Sequence, residues 1–297
     1  MTSREKELSS LPQSSDPPRT EMVDLVERLV YPFQHGEPPP SHAATGFFTD
    51  TTVCIGCKAC EVACKQWNQL PSDGFNWSGN SYDNTTELSA TTWRHVKFIE
   101  QFALETSGEQ GENRWLMQSD HCKHCTAAPC HQACPTGAIV YNEFENVYIQ
   151  ADICNGCSSC IAACPFGVIT RSTMGGHSHK CTLCYDRQRD GLVPACAKAC
   201  PTESIQYGPI DELRERARKR VEELQKRGES HAYLYGDAAT DTYSQMHSFY
   251  LLLDRPSVYG LPDNPYNPWL NMMGDYARSV AGGVAAIAVL LAVVLLV

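Results

Sequence analysis

Apolar residues recur three and four positions apart in two segments, which predicts two amphipathic helices. The first is short and lies in a polar, proline-rich stretch, so it needs a partner to bury its apolar face. The second, residues 211–229, is dense in charges of both signs and is predicted to be a surface helix. The apolar positions are Met22, Leu25, Val26, Leu29 and Val30 in the first, and Leu213, Ala217, Val221 and Leu224 in the second.

The chain ends in an apolar run, residues 280–297, which contains no charged and no strongly polar side chain. At about 1.5 Å per residue, a helix of this length extends roughly 27 Å, close to the hydrocarbon thickness of a bilayer. Trp269 and Tyr276 precede the run, where aromatic residues often mark a membrane interface. The pattern predicts a single transmembrane helix within residues 269–297. A buried core helix is the less favoured alternative, because the run has no polar face.

Composition narrows the possible functions. The chain has 297 residues, 16 of them cysteine, and a formal net charge of −10. An acidic chain repels phosphate backbones, which argues against nucleic-acid binding. The first residues contain no apolar signal-peptide core and no twin-arginine pair, so we expect the thiols to be made in a reducing compartment. They are therefore predicted to be metal ligands, and a disulfide framework is disfavoured.

The cysteines fall into four groups of one design, an internal repeat. In the third group two, two and three residues separate the cysteines and Pro165 follows, which is the bacterial ferredoxin spacing for a [4Fe–4S] cluster. The second and fourth groups keep the Cys-Pro ending with longer insertions, whereas the first has Lys65 in place of proline. The groups are Cys54, Cys57, Cys60 and Cys64; Cys122, Cys125, Cys130 and Cys134; Cys154, Cys157, Cys160 and Cys164; and Cys181, Cys184, Cys196 and Cys200.

In such ferredoxins the fourth cysteine of each group binds the neighbouring cluster. A short hairpin-like connection joins the second and third groups, so these two are paired, and the first and fourth pair by elimination. Four [4Fe–4S] sites are predicted. Their ligands are Cys54, Cys57, Cys60 and Cys200 in site a; Cys64, Cys181, Cys184 and Cys196 in site b; Cys122, Cys125, Cys130 and Cys164 in site c; and Cys134, Cys154, Cys157 and Cys160 in site d.

We expect an α+β fold of tandem ferredoxin-like modules, two pseudo-twofold [4Fe–4S] pairs, followed by the transmembrane helix. Module A holds sites a and b, and module B holds sites c and d. Residues 93–99 and 114–118, within an insertion in module A, alternate in polarity and are predicted to be strands. The predicted segments are an extended arm (1–50), the first half of module A with its insertion (51–118), module B (119–170), the second half of module A (171–210), a helix and strap (211–268) and the membrane anchor (269–297).

The sites predict electron transfer and no catalytic residue. A cubane held by four cysteines has no open iron position for a substrate, and the chain contains neither a dinucleotide fingerprint nor a Walker loop. Zinc is the alternative metal, and a sensor or scaffold without electron transfer is the alternative role. Basic residues among the ligands favour a reduced cluster, although exposure at polar turns explains each of them as well. These residues are Lys58, Lys65, Lys123, His124, Lys180, Arg187 and Lys198.

Several motifs resemble the beta (iron–sulfur) subunit of membrane-bound formate dehydrogenase, one of the four-cluster ferredoxin subunits of molybdopterin oxidoreductases. The resemblance runs from about residue 50 into the C-terminal helix. It leaves the first 50 residues uncovered, and we expect that extension to clasp the catalytic subunit. The matching segments are residues 53–68, 121–125, 133–139, 161–167, 180–184 and 194–202.

The resemblance implies two partner subunits. One is a catalytic alpha subunit whose molybdenum or tungsten pterin cofactor oxidises formate, and the other is a membrane cytochrome b (gamma) subunit whose haem b passes electrons to quinone. The chain would relay electrons between them at the cell membrane. The resemblance also implies export of the folded part under the catalytic subunit's twin-arginine (Tat) signal, with a cytoplasmic position as the alternative. Related subunits serve dimethyl sulfoxide, polysulfide and tetrathionate enzymes, so a different substrate is the main functional alternative.

Overall fold

A computed structural model describes residues 43–75, 77–79, 82–102, 113–240 and 242–296, with the side chains of residues 271, 273–275 and 288–296 left out. The strands are β1 (Thr45–Asp50), β2 (Arg94–Gln101), β3 (Arg114–His121), β4 (Ile139–Tyr141), β5 (Val147–Ile149), β6 (Thr170–Arg171), β7 (Ser178–His179), β8 (Ile205–Pro209), β9 (Tyr233–Tyr235) and β10 (Ser248–Leu252). The α-helices are α1 (Ala59–Trp67), α2 (Pro129–Gln132), α3 (Ser159–Ala163), α4 (Tyr185–Arg189), α5 (Ala195–Lys198), α6 (Ile210–Lys226) and α7 (Pro268–Leu296). Short 3-10 helices lie at Thr51–Val53 and Pro256–Tyr259.

Strands β8, β1, β10 and β9 form one sheet in that order. Strand β1 runs parallel to β10 and antiparallel to β8, and β9 runs antiparallel to β10. Neighbouring side chains of a strand face opposite sides, so the buried Phe47 and Phe48 enter different layers. Phe48 stacks on Phe249 in the core beneath α6, whereas Phe47 shares a core with Cys60 and Cys196. The sheet therefore separates α6 from the cysteine-bearing loops.

Helix α6 confirms the surface helix predicted from spacing and charge. Leu213, Ala217 and Leu224 are buried, and Val221 packs against the same core. On the polar side, Nε of Arg220 lies 2.9 Å from a carboxylate oxygen of Asp50, at the end of β1. The apolar stripe fixes which face of α6 covers the sheet, because burying that stripe is what stabilises a helix of otherwise polar composition.

Three β-hairpins support the cysteine loops. Strands β2 and β3 pair antiparallel with Arg94 opposite His121, which confirms the two strands predicted between the first and second cysteine groups. Strands β4 and β5 pair in the predicted connection between the second and third groups. The short strands β6 and β7 form the third hairpin. Each hairpin thus lies between two consecutive groups of cysteines and limits where those groups can lie.

The last residues of the predicted extended arm belong to a β-strand. Its polar and proline-rich composition predicts an arm over residues 1–50, but Thr45–Asp50 form β1 near the centre of the sheet. A strand of this length carries little sequence signal of its own, and its partners come from residues 205–209 and 248–252. The remainder of the arm up to residue 42, with its predicted helix at residues 22–30, lies outside the described residues, as do residues 103–112.

A long C-terminal helix is present where the membrane anchor is predicted. Helix α7 runs from Pro268 to Leu296. Among the residues whose side chains are described, no helix combines the length and apolar character needed to cross a bilayer. The last part of the apolar run, residues 288–297, lies outside those described side chains. The helix is therefore confirmed as a helix, and its insertion in a membrane stays a prediction.

Packing of α6 on the sheet generates a prediction of stability. Replacement of Leu213, which is 1% exposed, by alanine is expected to lower the free energy of unfolding by about 2–5 kcal/mol, because it removes buried methyl groups and leaves a cavity. Chemical denaturation followed by circular dichroism measures the change. Glu222→Ala, an exposed change on the same helix, is the control and is expected to stay within about 0.5 kcal/mol. Equal effects of the two variants would contradict the packing described.

Candidate functional site

The same backbone turn recurs in all four cysteine groups. The residue before the second cysteine of each Cys-x-x-Cys segment has a positive φ, in the left-handed region that glycine adopts most readily. Two of the four are glycine, and the others are histidine and leucine held in a conformation that costs such residues free energy. The residues and their φ angles are Gly56 (64°), His124 (44°), Gly156 (69°) and Leu183 (55°). A repeated local conformation supports the internal repeat found in the sequence.

A second shared turn follows each Cys-Pro pair. The amide of the third residue after the cysteine donates to the cysteine's own carbonyl, at 3.4 Å for Gly137, 3.3 Å for Gly167 and 3.4 Å for Glu203. The preceding helices α2, α3 and α5 are short and end before the proline, which lacks an amide and cannot continue a helix. In the first group Lys65 replaces proline, and α1 accordingly runs past Cys64 to Trp67.

The structure brings the four predicted ligands of site c around one cavity. Its wall contains Cys122, Cys125, Cys130 and Cys164. The other lining side chains are mainly apolar, among them Val147, Phe166 and Ile169. The hydroxyl of Tyr243 lies 3.1 Å from Sγ of Cys125.

Site a has a cavity of its own. The cavity is lined by Cys54, Cys57, Cys60 and Cys200 together with residues that include Val96 of β2, Ser119 of β3 and Ile205 of β8. Sγ of Cys60 lies 3.4 Å from the hydroxyl of Ser119 on β3. Cysteines from the two ends of module A thus face one space.

The thiols within sites b and d influence one another, and similar influences link Cys196 with Cys60 of site a and Cys181 with Cys122 of site c. All four cysteines of site b are buried, and α1 packs on α5. Burial, and then the neighbouring Cys181 and Cys196, raise the pKa of the Cys64 thiol well above its usual value.

In site d, burial and then the nearby Cys154 and Cys134 raise the pKa of the Cys160 thiol. The exposed Cys157 differs from its neighbours, because hydrogen bonds with Ser159 lower the pKa of its thiol. The assignment of the sixteen cysteines to four clusters stays a prediction.

The interior thiols are poor acids on their own. Burial raises the pKa of Cys60 to about 11 and that of Cys196 to about 12, although Arg94 counteracts the effect at both. Burial raises the pKa of Cys125 to about 12 as well. Metal and cluster ligands must be thiolates. Binding at these sites is therefore expected to release protons and to be weakened at low pH.

Two buried cations, Arg94 and Lys180, lie near the predicted sites and bear on whether these sites suit a negatively charged cluster. Nε and Nη2 of Arg94 are buried and have no hydrogen-bond partner in the described part of the protein. Lys180 is 2% exposed; burial disfavours its charge, yet the thiols of Cys122, Cys130 and Cys181 outweigh burial and raise its pKa. Such groups need a nearby negative charge. A cubane carrying four thiolates supplies it, so the residues present fit the predicted cofactor.

Over the described residues, no group of three or more His, Cys, Asp or Glu side chains is arranged to hold one metal ion. In sites a and c the four cysteines line the wall of a cavity.

Comparison with known proteins identifies the type of domain. Models of the 4Fe-4S dicluster domain match residues 53–138 and 113–210. The iron–sulfur subunit of formate dehydrogenase from Haemophilus influenzae is 38% identical over 245 residues, which cover 80% of this chain and 76% of that protein. The iron–sulfur subunit of the nitrate-inducible formate dehydrogenase of Escherichia coli K12 is 38% identical over 254 residues, 82% of each protein.

One subunit of the anaerobic dimethyl sulfoxide reductase of Escherichia coli K12 is also similar, at 35% identity over 172 residues, or 58% of this chain and 76% of that protein. The two dicluster matches confirm the prediction of four [4Fe–4S] clusters, which the 16 cysteines are sufficient to hold. Zinc is not supported by these matches.

The spacing of the cysteines in the sequence predicts which of them are ligands, but it identifies only some of the residues that surround them. Arg94, Ser119 and Tyr243 contact or influence ligand cysteines but lie outside every cysteine motif, so no sequence signal points to them. Lys180 is a basic neighbour of a ligand in the sequence, with exposure as an equal alternative; in the structure it is buried. Lys58 is half-buried, pairs with Asp83 at 2.7 Å and also lines the cavity of site a.

The positive φ of Gly156 generates a prediction about site d. A Cβ at this position would lie 2.0 Å from the carbonyl oxygen of Gly176, so Gly156→Ala is expected to disrupt the loop and empty one site. Iron per chain should fall from about sixteen to about twelve, as each cubane holds four iron atoms. Iron and acid-labile sulfide analysis measures this.

The matched control is Gly137→Ala. Gly137 has nearly the same φ, 68°, but a Cβ there meets open space, so only backbone strain is introduced and iron content should be kept. Full iron in Gly156→Ala, or the same loss in both variants, would contradict the proposed role of the close contact.

Proposed function

This protein belongs to the family of formate dehydrogenase iron–sulfur subunits, and from this premise we propose that it relays electrons from a formate-oxidising partner subunit to an acceptor in the membrane. The observation that carries the proposal is that the fold lines one cavity with the four predicted ligands of site a and another with those of site c. A series of adjacent redox sites inside one subunit is suited to moving single electrons across it.

When bound, each [4Fe–4S] cluster takes up and releases one electron. The protein's own cysteines would fill all four ligand positions of each cluster, and the fold buries most of them. No iron position would then be left for a substrate. We propose that the subunit has no catalytic activity by itself and that oxidation of formate takes place on a molybdenum or tungsten pterin in the partner.

Buried cations support an order of the first three sites. Arg94 acts on Cys60 of site a and on the thiols of site b, including Cys196. Lys180 acts on Cys181 of site b and on Cys122 of site c. A charge that influences the thiols of two sites supports their being neighbours. We therefore propose the order a, b, c.

Site d completes the series. Helix α3 contains Cys160 of site d, and its C-cap residue is Cys164 of site c, so these two sites share one helical turn. Among the sixteen cysteines, Cys57 of site a and Cys157 of site d are the exposed ones. Exposure at the two ends of the series is what an electron relay between two partners needs. We therefore propose the order a, b, c, d.

Helix α7 supports the direction of transfer. Asn267, next to its start, is buried, and its side-chain amide donates to the carbonyl of Ala127 at 2.9 Å. Ala127 lies between two ligands of site c. Module B therefore lies at the end of the protein from which α7 starts.

We propose that α7, through the apolar residues 280–297, anchors this end at the cell membrane beside a cytochrome b that carries haem. Electrons then enter at site a and leave at site d. The folded part lies on the extracytoplasmic side in this proposal, exported with the catalytic subunit. Fractionation of cells, with protease protection of the folded part, tests the membrane side.

A second candidate keeps the relay and changes the substrate. The similarity to a dimethyl sulfoxide reductase subunit supports it, but that match covers a smaller share of this protein than the formate dehydrogenase matches do. Purification of the complex and reduction of its clusters by formate, compared with their oxidation by dimethyl sulfoxide, separates the two. Formate-dependent reduction is expected.

The order of sites predicts opposite behaviour of two cysteine variants. Both Cys157→Ser and Cys57→Ser should block quinone reduction by formate, and both should leave formate oxidation by a dye at the catalytic subunit largely intact. They should differ in EPR spectra of the complex after addition of formate. In Cys157→Ser the clusters of sites a, b and c become reduced, because only the exit is damaged. In Cys57→Ser the entrance is damaged, so sites b, c and d stay oxidised.

Dithionite provides the control, since it should reduce the remaining clusters in both variants and so show that they are present. The opposite pattern with formate would reverse the proposed direction. Quinone reduction at the wild-type rate in either variant would remove that site from the path.

A further inference from the structure

Arg94 occupies an unusual position between two cysteine sets. It is the first residue of β2, in the insertion that separates the first and second cysteine groups. Its side chain is 1% exposed, and its guanidinium carbon lies 5.0 Å from the centre of the Phe47 ring. Phe47 packs in the same core as Cys60 of site a and Cys196 of site b. The guanidinium is therefore held where the two sites meet.

The hydrogen bonds of Arg94 leave most of its donors unused. Nη1 donates to the hydroxyl of Ser119 at 2.9 Å, and the same hydroxyl lies 3.4 Å from Sγ of Cys60. Nε and Nη2 are buried without an acceptor, and within the described residues no carboxylate pairs with Arg94. An arginine side chain does not lose its proton in proteins. A buried, unpaired guanidinium is strongly unfavourable, which indicates that a negative group other than a carboxylate balances it.

The thiolates and their clusters are the available negative groups. The charge of Arg94 acts on Cys60 in site a and on Cys64, Cys181 and Cys196 in site b. An oxidised cubane with four thiolates carries a charge of about −2, and reduction adds one more negative charge. A fixed positive charge stabilises the reduced form more than the oxidised form, because attraction grows with the charge of the partner.

We propose that Arg94 is the counter-ion shared by sites a and b and that it raises the reduction potentials of both. The larger effect falls on site b, where its charge acts on all four thiols, Cys184 included. No bond is made or broken: each site accepts one electron from the reductant, and Arg94 only changes how favourable that step is. Site b is enclosed and all its cysteines are buried, conditions that disfavour an additional negative charge. Arg94 therefore keeps this interior site reducible.

Lys180 shows why the arginine is distinctive. Lys180 lies between sites b and c, and its ammonium donates to the carbonyl oxygens of Val147 and Cys181. The backbone takes two of its donors and the thiol of Cys122 a third, whereas Nε and Nη2 of Arg94 have no acceptor among the described residues and are free for the sulfur atoms of two sites. Hydrogen bonds to cluster sulfurs raise the potential further.

Redox titration of the purified complex, followed by EPR in the presence of redox mediators and dithionite, tests the proposal. In Arg94→Gln the reduction equilibrium of sites a and b should shift at least tenfold toward the oxidised form. For a one-electron step this is about 59 mV. Sites c and d should be unchanged. The signals of site a are identified by their alteration in Cys57→Ser. Arg94→Lys keeps the positive charge, so the potentials of sites a and b should stay close to their wild-type values.

Arg216→Gln is the matched control, because it removes the same charge from the exposed face of α6, where Arg216 binds Gln206 at 2.9 Å. It should leave all four potentials unchanged. Loss of iron from sites a and b in Arg94→Gln, with retention in Arg94→Lys, would also support a counter-ion role. Loss in both variants would assign Arg94 to structure alone and overturn the proposal. Arg94→Gln with full iron and wild-type potentials would overturn it as well.

The inference depends on the same four sites as the proposed function, but the titration uses no formate. A failure of formate to reduce the complex would therefore count against the proposed function only, and unchanged potentials would count against the role of Arg94 only.

Discussion

The predicted exchange of fourth cysteines between the two ends of module A is the constraint on which the proposed electron relay depends. Site a needs Cys200 beside the first group, and site b needs Cys64 beside the fourth. Residues 54–64 must therefore meet residues 181–200, although module B and two hairpins lie between them in sequence. The contact of α1 with α5 satisfies this requirement. The antiparallel pairing of β1 with β8 holds the flanking segments in place, so the sheet joins the two halves of the module.

Charge is the second condition that the fold has to meet. Burying thiolates and clusters away from water is unfavourable unless positive charges and hydrogen-bond donors accompany them. Arg94 and Lys180 are buried beside cysteines of the predicted sites, while the half-buried Lys58 pairs with Asp83 next to the cavity of site a. The interior cations therefore supply positive charge of the kind that the proposed clusters need.

The sequence was sufficient to predict those elements in which a physical rule links residues that are near one another in the chain. The spacing of α6, the alternation in β2 and β3, and the Cys-Pro turns are all local, and the structure contains them. It was insufficient for β1, whose pairing partners come from residues 205–209 and 248–252 and whose own residues lie at the end of a polar arm. The position of Arg94 could not be predicted from the sequence for the same reason, since only the tertiary fold brings it near Cys60 and Cys196. The grouping of cysteines follows from ferredoxin spacing, and the fold places those cysteines together without determining the clusters themselves.

The central claim is that one protein molecule holds four neighbouring [4Fe–4S] clusters. The most direct measurement is the iron and acid-labile sulfide content of the anaerobically purified protein, combined with EPR of the fully reduced form. About sixteen iron and about sixteen sulfide per chain, with spectra broadened by magnetic interaction between neighbouring clusters, are expected. Zinc in place of iron, or a single magnetically isolated cluster, would contradict the claim.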